Sequence, residues 1–199
     1  RGTVRIGVSL GGEPIGFRDD QNNPVGYDVD VATMIAAKLG VPVEFTDVSG
    51  DARISMLVSG QLDIVVANTS ATLERAKSVN FTIPYNRAGL RVIVQADSGI
   101  TTLDQLAGKK IVVGRGTTGE TFIKTAVPTA ELVYVDQFAP DGVLQLQQKR
   151  VDAAIEDSSL LDYLATKNPQ LVTLAGLYSN DPIRIDEAKG DIEYVRMID

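Results

Sequence analysis

Residues 68–85 read NTSATLERAKSVNFTIPY and place one arginine, Arg75, among small polar residues directly after the apolar run 62–67. A guanidinium just past a buried strand is either a surface charge near a turn or a planar fork for a carboxylate. Residues 114–121, GRGTTGET, follow another apolar run and open a helical pattern. Free N–H groups at a helix N-terminus favour an anion, and Thr117 and Thr118 add hydroxyl donors. The stretch also matches a G-x-G-x-x-G dinucleotide loop, with Asp136 about 20 residues on. Against that reading, Val127-Pro128 ends the helix early and no hydride-handling residues follow. Glu120 stands where a phosphate loop carries lysine and would repel phosphate. No cofactor is expected. Asp157 ends the run VDAAIED beside Glu156. It would either accept from a ligand ammonium or cap the helical pattern over 159–165. Arg53, in SGDARISML, lies at a helix start, where a cation is disfavoured. It either has a role in a site or lays its stem over an apolar face. Asp19, Asp20, Asn22 and Asn23 imitate a calcium loop, but Pro24 falls at a ligand position and the bidentate Glu is missing. A hairpin tip is expected there.

The composition narrows the chemistry. The chain has 199 residues, 44% hydrophobic and 23% charged, enough for one large or two small cores. Its formal net charge of -7 shows no basic stripe, so nucleic acid is not an expected partner. No apolar run approaches the roughly 20 residues of a membrane helix. The chain opens on a strand pattern over 3–9, so any targeting segment is expected to have been removed or never present. The absence of cysteine excludes thiol catalysis, cysteine metal sites and disulfides. The absence of histidine excludes a Ser-His-Asp triad and His-ligated metal.

Short Val- and Ile-rich runs alternate with helical patterns. Strands are expected over 4–9, 41–47, 62–67, 90–95, 110–113, 132–135, 153–156 and 171–174. Helices are expected around Val31, Ile35 and Leu39, around Ile54, Leu57 and Val58, and over 103–106, 118–126, 143–148 and 159–165. This alternation implies an α/β fold with mostly parallel, doubly wound sheets. A faint internal repeat relates LVSGQLDIVVANTS (57–70) to LQQKRVDAAIEDSS (146–159) at a constant offset, 146 − 57 = 89. It is either chance or the mark of two lobes of similar build. Two facing lobes would aim Asn68, Thr69 and Ser70 from one side, and Asp157 and Ser158 from the other, into one cleft, because ligands bind outside the carboxyl ends of strands in such sheets. The segments 84–90 and 176–182 would then cross between lobes.

GEPIGFRDDQNNPVGYDVDVA, SGQLDIVVANTSATLERAKSVNFTIPY, LAGKKIVVGRGTTGETF and RVDAAIEDSS occur in this order and spacing. Together they resemble the bacterial extracellular solute-binding proteins of family 3, the polar amino-acid receptors of ABC importers, over nearly the whole chain. The resemblance implies a two-lobed periplasmic binding fold that closes on one ligand by a hinge. Lobe one would span 1–86 plus 183–199 and lobe two 87–182. Carried onto matching positions, Arg75 would clamp the ligand α-carboxylate, helped by the Ser70 N–H and by Thr118. Asp157 would take the α-ammonium, with the main-chain carbonyl of Asn68. The partners implied are an L-amino acid and the membrane permease of an ABC transporter. The protein would act as a monomer in the periplasm or outside the cell, free or as a tethered lipoprotein.

Side-chain selectivity is less determined by the resemblance. The family often has an aromatic platform just before the E-P-I stretch; here that position is Gly12. Arg53 would meet a side-chain carboxylate, while Glu13 and Glu156 would favour a cationic or amide side chain. Acidic or amide amino acids rank slightly ahead of arginine or lysine on this reading. Family members usually continue beyond a stretch like KGDIEYVRMID, and RIDEAKGD is a charged version of a normally apolar strand. Two alternatives to a transport receptor accompany the resemblance. One is a cyclohexadienyl or arogenate dehydratase-like enzyme on the same fold, which needs a general acid such as Glu156 or Glu13 with a raised pKa. The other is the sensing domain of a receptor.

Overall fold

In a computed structural model of the chain, residues 2–176 and 178 are described. The return crossing expected over 176–182 and the lobe-one tail 183–199 lie largely outside the described residues. The elements run β1 (Val4–Val8), β2 (Phe17–Arg18), β3 (Pro24–Val25), α1 (Tyr27–Leu39), β4 (Val43–Asp47), α2 (Ala52–Val58), β5 (Ile64–Val65) and α3 (Leu73–Ala76). They continue as β6 (Leu90–Gln95), β7 (Lys110–Gly114), α4 (Thr118–Ala126), β8 (Glu131–Val135), α5 (Val143–Gln147), β9 (Ala153–Asp157), α6 (Ser158–Lys167) and β10 (Leu171–Thr173). Two α/β lobes result. The first is built on a parallel sheet of order β4-β1-β5, and the second on a five-stranded sheet of order β10-β6-β9-β7-β8. Strand β6 runs against β9 and β10, while β7 pairs parallel with both β8 and β9. β6 enters its sheet straight from the other lobe, so no helical crossover forces it parallel. At its start, Leu90 and Tyr178 exchange main-chain hydrogen bonds of 2.6 and 2.8 Å, so the chain before β6 lies beside the chain after β10.

Each sheet is apolar on both faces because helices cover it. In the second lobe, Ile155, Val113 and Ile123 pack on one face; Ala154, Val112, Phe138 and Leu160 pack on the other. The expected hairpin tip is present: β2 and β3 pair, and Asp19 Oδ1 accepts from the N–H groups of Gln21 and Asn23. The run 103–106 forms a 3-10 turn rather than an α-helix, capped reciprocally by Thr102 and Gln105.

The internal repeat is real in the structure, bond for bond. After α2, Gly60 takes a left-handed φ of 72°, and Gln61 N–H reaches back to Met56 O at 3.0 Å. After α5, Lys149 takes a φ of 55°, and Arg150 N–H reaches back to Gln145 O at 3.0 Å. Both are helix C-caps that satisfy stranded carbonyls. Three residues on, Asp63 N–H donates to Arg5 O, and Arg5 N–H donates to Asp63 Oδ2, both at 2.9 Å. Asp152 and Lys110 make the same exchange at 2.8 Å in each direction. The aspartate therefore sets the register of the strand it opens against the neighbouring parallel strand. Asn68 and Asp157 then fall at equivalent strand ends, one in each lobe.

Asp152→Ala is expected to lower stability by about 1 kcal/mol, the net worth of one such hydrogen bond. Asp152→Asn, which keeps an acceptor oxygen, should cost less; urea denaturation of both variants checks the ordering.

Candidate functional site

The carboxyl ends of β1, β5, β7 and β9 meet between the lobes. β1 leads into Ser9, Gly11 and Gly12, and β5 into Ala67, Asn68 and Ser70; β7 ends at Gly114, and β9 supplies Glu156 and Asp157. They enclose a cavity of about 70 Å³. That is several times the roughly 10–15 Å³ one water requires, so the cleft suits a small solute. Arg53, Arg75, Asn68, Ser70, Thr118 and Asp157 all line it, as do Thr117, Asp136, Gln137, Phe138, Glu156 and Leu160. Of the residues expected at the cleft from sequence, Thr69, Ser158 and Glu13 stay off its wall; Thr69 Oγ1 is taken up by Arg53. Glu13 Oε2 instead accepts from Tyr163 Oη of the other lobe at 2.9 Å.

Arg75 sits in a short helical turn capped by Thr72, whose hydroxyl accepts from the Arg75 N–H. Its Nη1 donates to Ser70 O at 2.7 Å and its Nη2 crosses the cleft to Gly116 O at 3.0 Å. Burial pulls the Arg75 guanidinium down to about 10, the neighbouring Arg53 charge adds to this, and Asp157 opposes it. The arginine stays a cation at neutral pH. The facing loop is held by Glu120, which accepts from Gly116 N–H at 2.8 Å. Thr117 caps α4, accepting from Glu120 N–H and donating to Gly114 O. The Glu at the lysine position thus fastens the loop. Thr118, the first residue of α4, turns this helix N-terminus toward the cavity.

Arg53 is only 6% exposed. Its Nε donates to Gly50 O at 3.3 Å; its Nη1 is shared among Ala67 O, Asn68 O and Thr69 Oγ1. It organises the end of β5, where Asn68 has a left-handed φ of 46°. Burial lowers its pKa, and the charges of Glu156, Asp157 and Asp28 hold it up.

Asp157 is 4% exposed and occupies the N-cap position of α6, yet its side chain makes no capping hydrogen bond there. Of its two sequence readings, the helix cap is not realised. Beside it, burial and the Asp157 charge push Glu156 up to about 7, against the Asp157 N–H bond and Arg53.

Asp28 was not legible as a site residue. An acid in the first turn of a helix reads as a dipole partner. It is 1% exposed; its Oδ2 accepts from Asn68 N–H at 2.6 Å and its Oδ1 from Tyr85 Oη at 3.0 Å. It ties α1 and the segment before β6 to the cavity floor, and burial raises its pKa.

Residues 4–175 match the bacterial extracellular solute-binding proteins, family 3. The chain belongs to that family. It is 27% identical over 201 aligned residues to the L-cystine-binding protein TcyJ of Escherichia coli (strain K12), covering 100% of this chain and 75% of that protein. Among solved structures, an ancestral arginine-binding protein bound to arginine is 36% identical, with a TM-score of 0.83 over 90% of this chain and 81% of that one. The arginine-bound truncated ArgBP of T. maritima is 35% identical, with a TM-score of 0.85 over 90% and 84% of the two chains. Family members are extracellular or periplasmic binding proteins, and this chain is a two-lobed solute receptor of that kind.

The raised Glu156 pKa makes a pH prediction. Between about pH 4.5 and 7 the folded protein holds a proton on Glu156 that the unfolded chain releases, so stability falls as pH rises through that window. The wild type should lose more stability between pH 5 and pH 8 than Glu156→Gln does, as measured by urea denaturation of the ligand-stripped proteins.

Proposed function

We infer that the cleft captures a polar L-amino acid by its backbone charges and delivers it to the membrane permease of an ABC importer. One observation carries this reading. A half-buried guanidinium and a buried carboxylate, Arg75 and Asp157, come from opposite lobes to the wall of one small cavity. A zwitterion is the small solute that answers both. Arg75 takes the α-carboxylate, with the Ser70 N–H and the Thr118 end of α4; Asp157 and the Asn68 carbonyl take the α-ammonium. The ligands of the relatives, arginine and cystine, carry both backbone charges and differ beyond them.

The lobes close about crossings at 84–90 and 176–182, with lobe one spanning 1–86 plus 183–199 and lobe two 87–182. Closure has its own contacts: Ala139 N–H donates to Gly11 O at 2.7 Å, and Gln137 Nε2 to Asp47 Oδ1 at 3.2 Å. The protein works as a monomer outside the cytoplasmic membrane, free or lipid-tethered.

The elevated pKa of Glu156 favours a second reading, a dehydratase-like enzyme using Glu156 as general acid. The backbone clamp outweighs it, because Arg75 and Asp157 together suit a zwitterion better than a dicarboxylate.

A thermal-shift screen of the stripped protein against the twenty amino acids and prephenate separates the two. A ligand at 100 times its Kd adds about 2.7 kcal/mol. Arg75→Ala is expected to lose at least about 2 kcal/mol of amino-acid binding by calorimetry while melting cooperatively, because it strands the ligand carboxylate in a buried site. Unchanged affinity, or a shift with prephenate alone, overturns the clamp.

A further inference from the structure

The backbone charges of an amino acid use one end of the cavity. The rest of its wall is Gly12, Asp136, Gln137, Phe138, Leu160 and the carboxylate of Glu156. We propose that Glu156 selects the ligand's side chain, receiving the positively charged end of a basic amino acid while Leu160 and Phe138 carry its apolar stem. The proposal rests on the amino-acid reading of the cleft.

Strand alternation divides the two adjacent carboxylates. Residues along β9 point to opposite faces of the sheet in turn. Asp157 therefore shares the face of Ile155, and Glu156 the face of Ala154, which packs with Phe138 and Leu160. One carboxylate serves the ammonium, and the other looks along the apolar wall. A Cβ on Gly12 would lie 2.7 Å from Leu160 Cδ1 and 3.3 Å from Ala139 Cβ, so Leu160 fills the place where the family's aromatic platform would stand. Leu160 and Phe138 can cover methylenes, and the charged groups beside them on this wall, Glu156 and Asp136, are acidic.

The groups around Glu156 leave it a cation's partner. Its Oε1 accepts from Asp157 N–H at 3.1 Å; Oε2 accepts no hydrogen bond among the described residues. Across the cleft, Arg53 from α2 faces it, but Arg53 spends Nε and Nη1 on the carbonyls of Gly50, Ala67 and Asn68 and on Thr69 Oγ1. Arg75 from α3 lies at the other end with Ser70 and Gly116. Arg91, the cross-strand neighbour on β6, turns to Asp162 of α6 at 3.1 Å, and Tyr163 of α6 donates to Glu13. Asp136, after β8, adds another carboxylate to the same wall. Asp136 is paired with Arg115 at 3.9 Å, and above about pH 7 a side-chain carboxylate would meet ionised Glu156 as a like charge. The expectation of an acidic ligand depends on Arg53 meeting the side chain, and Arg53 is largely committed to the main chain.

A cationic side chain also changes the protonation of Glu156. Beside Asp157 and away from water the carboxyl holds its proton up to about pH 7. Guanidinium or ammonium draws that proton off, so binding releases it and tightens as pH rises.

Isothermal calorimetry on the full chain with L-arginine, L-lysine, L-glutamine and L-glutamate, at pH 6 and pH 8, tests this. Arginine or lysine should bind tightest, roughly tenfold tighter at pH 8 than at pH 6, with heats at pH 6 that vary with the buffer's ionisation enthalpy. Glu156→Gln should weaken the basic ligands at least tenfold, change glutamine less than about threefold, and abolish the pH slope. Glu156→Asp, which keeps the charge, should retain the basic preference. Equal losses for all four ligands in Glu156→Gln, or glutamate binding tightest, overturn the assignment of Glu156 while sparing the receptor. No heat with any amino acid overturns the amino-acid reading itself, and this inference with it.

Discussion

A charge taken out of water has to be answered by another, and the fold of this protein is arranged around that constraint. Arg53 and Arg75 come from one lobe, Glu156 and Asp157 from the other, and all four line one cavity. Isolated in a low-dielectric site, each would pay a desolvation cost of several kcal/mol. Set against each other across a cleft, they moderate that cost without cancelling it. Arg75 is pulled down to about 10 and Glu156 up to about 7, both chiefly by burial. This residual tension makes the cleft a receptor. A solute that carries its own opposed charges relieves it, and a neutral or singly charged solute does not. The main-chain ties that hold the arginines, Arg75 to Ser70 and Gly116, Arg53 to Gly50, Ala67 and Asn68, keep the cations in place before any ligand arrives.

Much of this was legible in the sequence because it depends on local patterns. The β/α alternation follows from Val- and Ile-rich runs between helical periods. The offset of 89 residues left chance and two similar lobes both open, and the paired hydrogen bonds of Asp63 and Asp152 decide for the lobes: in each, an aspartate opening a strand sets its register. Asn68, Ser70, Thr118 and Asp157 were readable as positions at strand ends and a helix N-terminus, whereas Arg75 was placed in the cleft by the family resemblance and not by a local pattern. What escaped depends on tertiary contact. Asp28 looked like an ordinary first-turn acid, and only the fold places it under Asn68 and Tyr85. Glu13 sits five residues past β1, yet its partner Tyr163 lies 150 positions along the chain and holds it off the cavity wall. The strand expected over 62–67 is reduced to Ile64 and Val65, with Asp63 and Val66 at its margins still donating to β1 carbonyls.

Glycine at position 12 shows how an apparent loss in sequence becomes a contact in space. An aromatic residue there would cover a ligand from the first lobe. With glycine, Leu160 of α6 comes in from the second lobe and occupies that volume. The cover over the cavity's far end then moves with the lobe that carries Glu156 and Asp157. Apolar lining and carboxylate would reach a ligand together on closure, so the two ends of a side chain are read in one movement rather than in sequence.

The repeat explains why the charges are divided as they are. Equivalent strand ends carry Asn68 in one lobe and Asp157 in the other; the first is flanked by uncharged Ala67 and Thr69, the second by the acid Glu156. Lobe one adds Arg53 and Arg75, while lobe two adds Glu156. Two identical strand ends would face like with like and resist closure. Complementary ones attract, and they also give the cleft a direction. On the proposed clamp, a zwitterion lies across it in one orientation, with carboxylate toward Arg75 and α4, and ammonium toward Asp157. Its side chain is then sent along the face of β9 that Glu156 shares with Ala154, Phe138 and Leu160. Divergence of two strand ends built to one pattern thus supplies both the force that favours closure and the geometry that orients the solute.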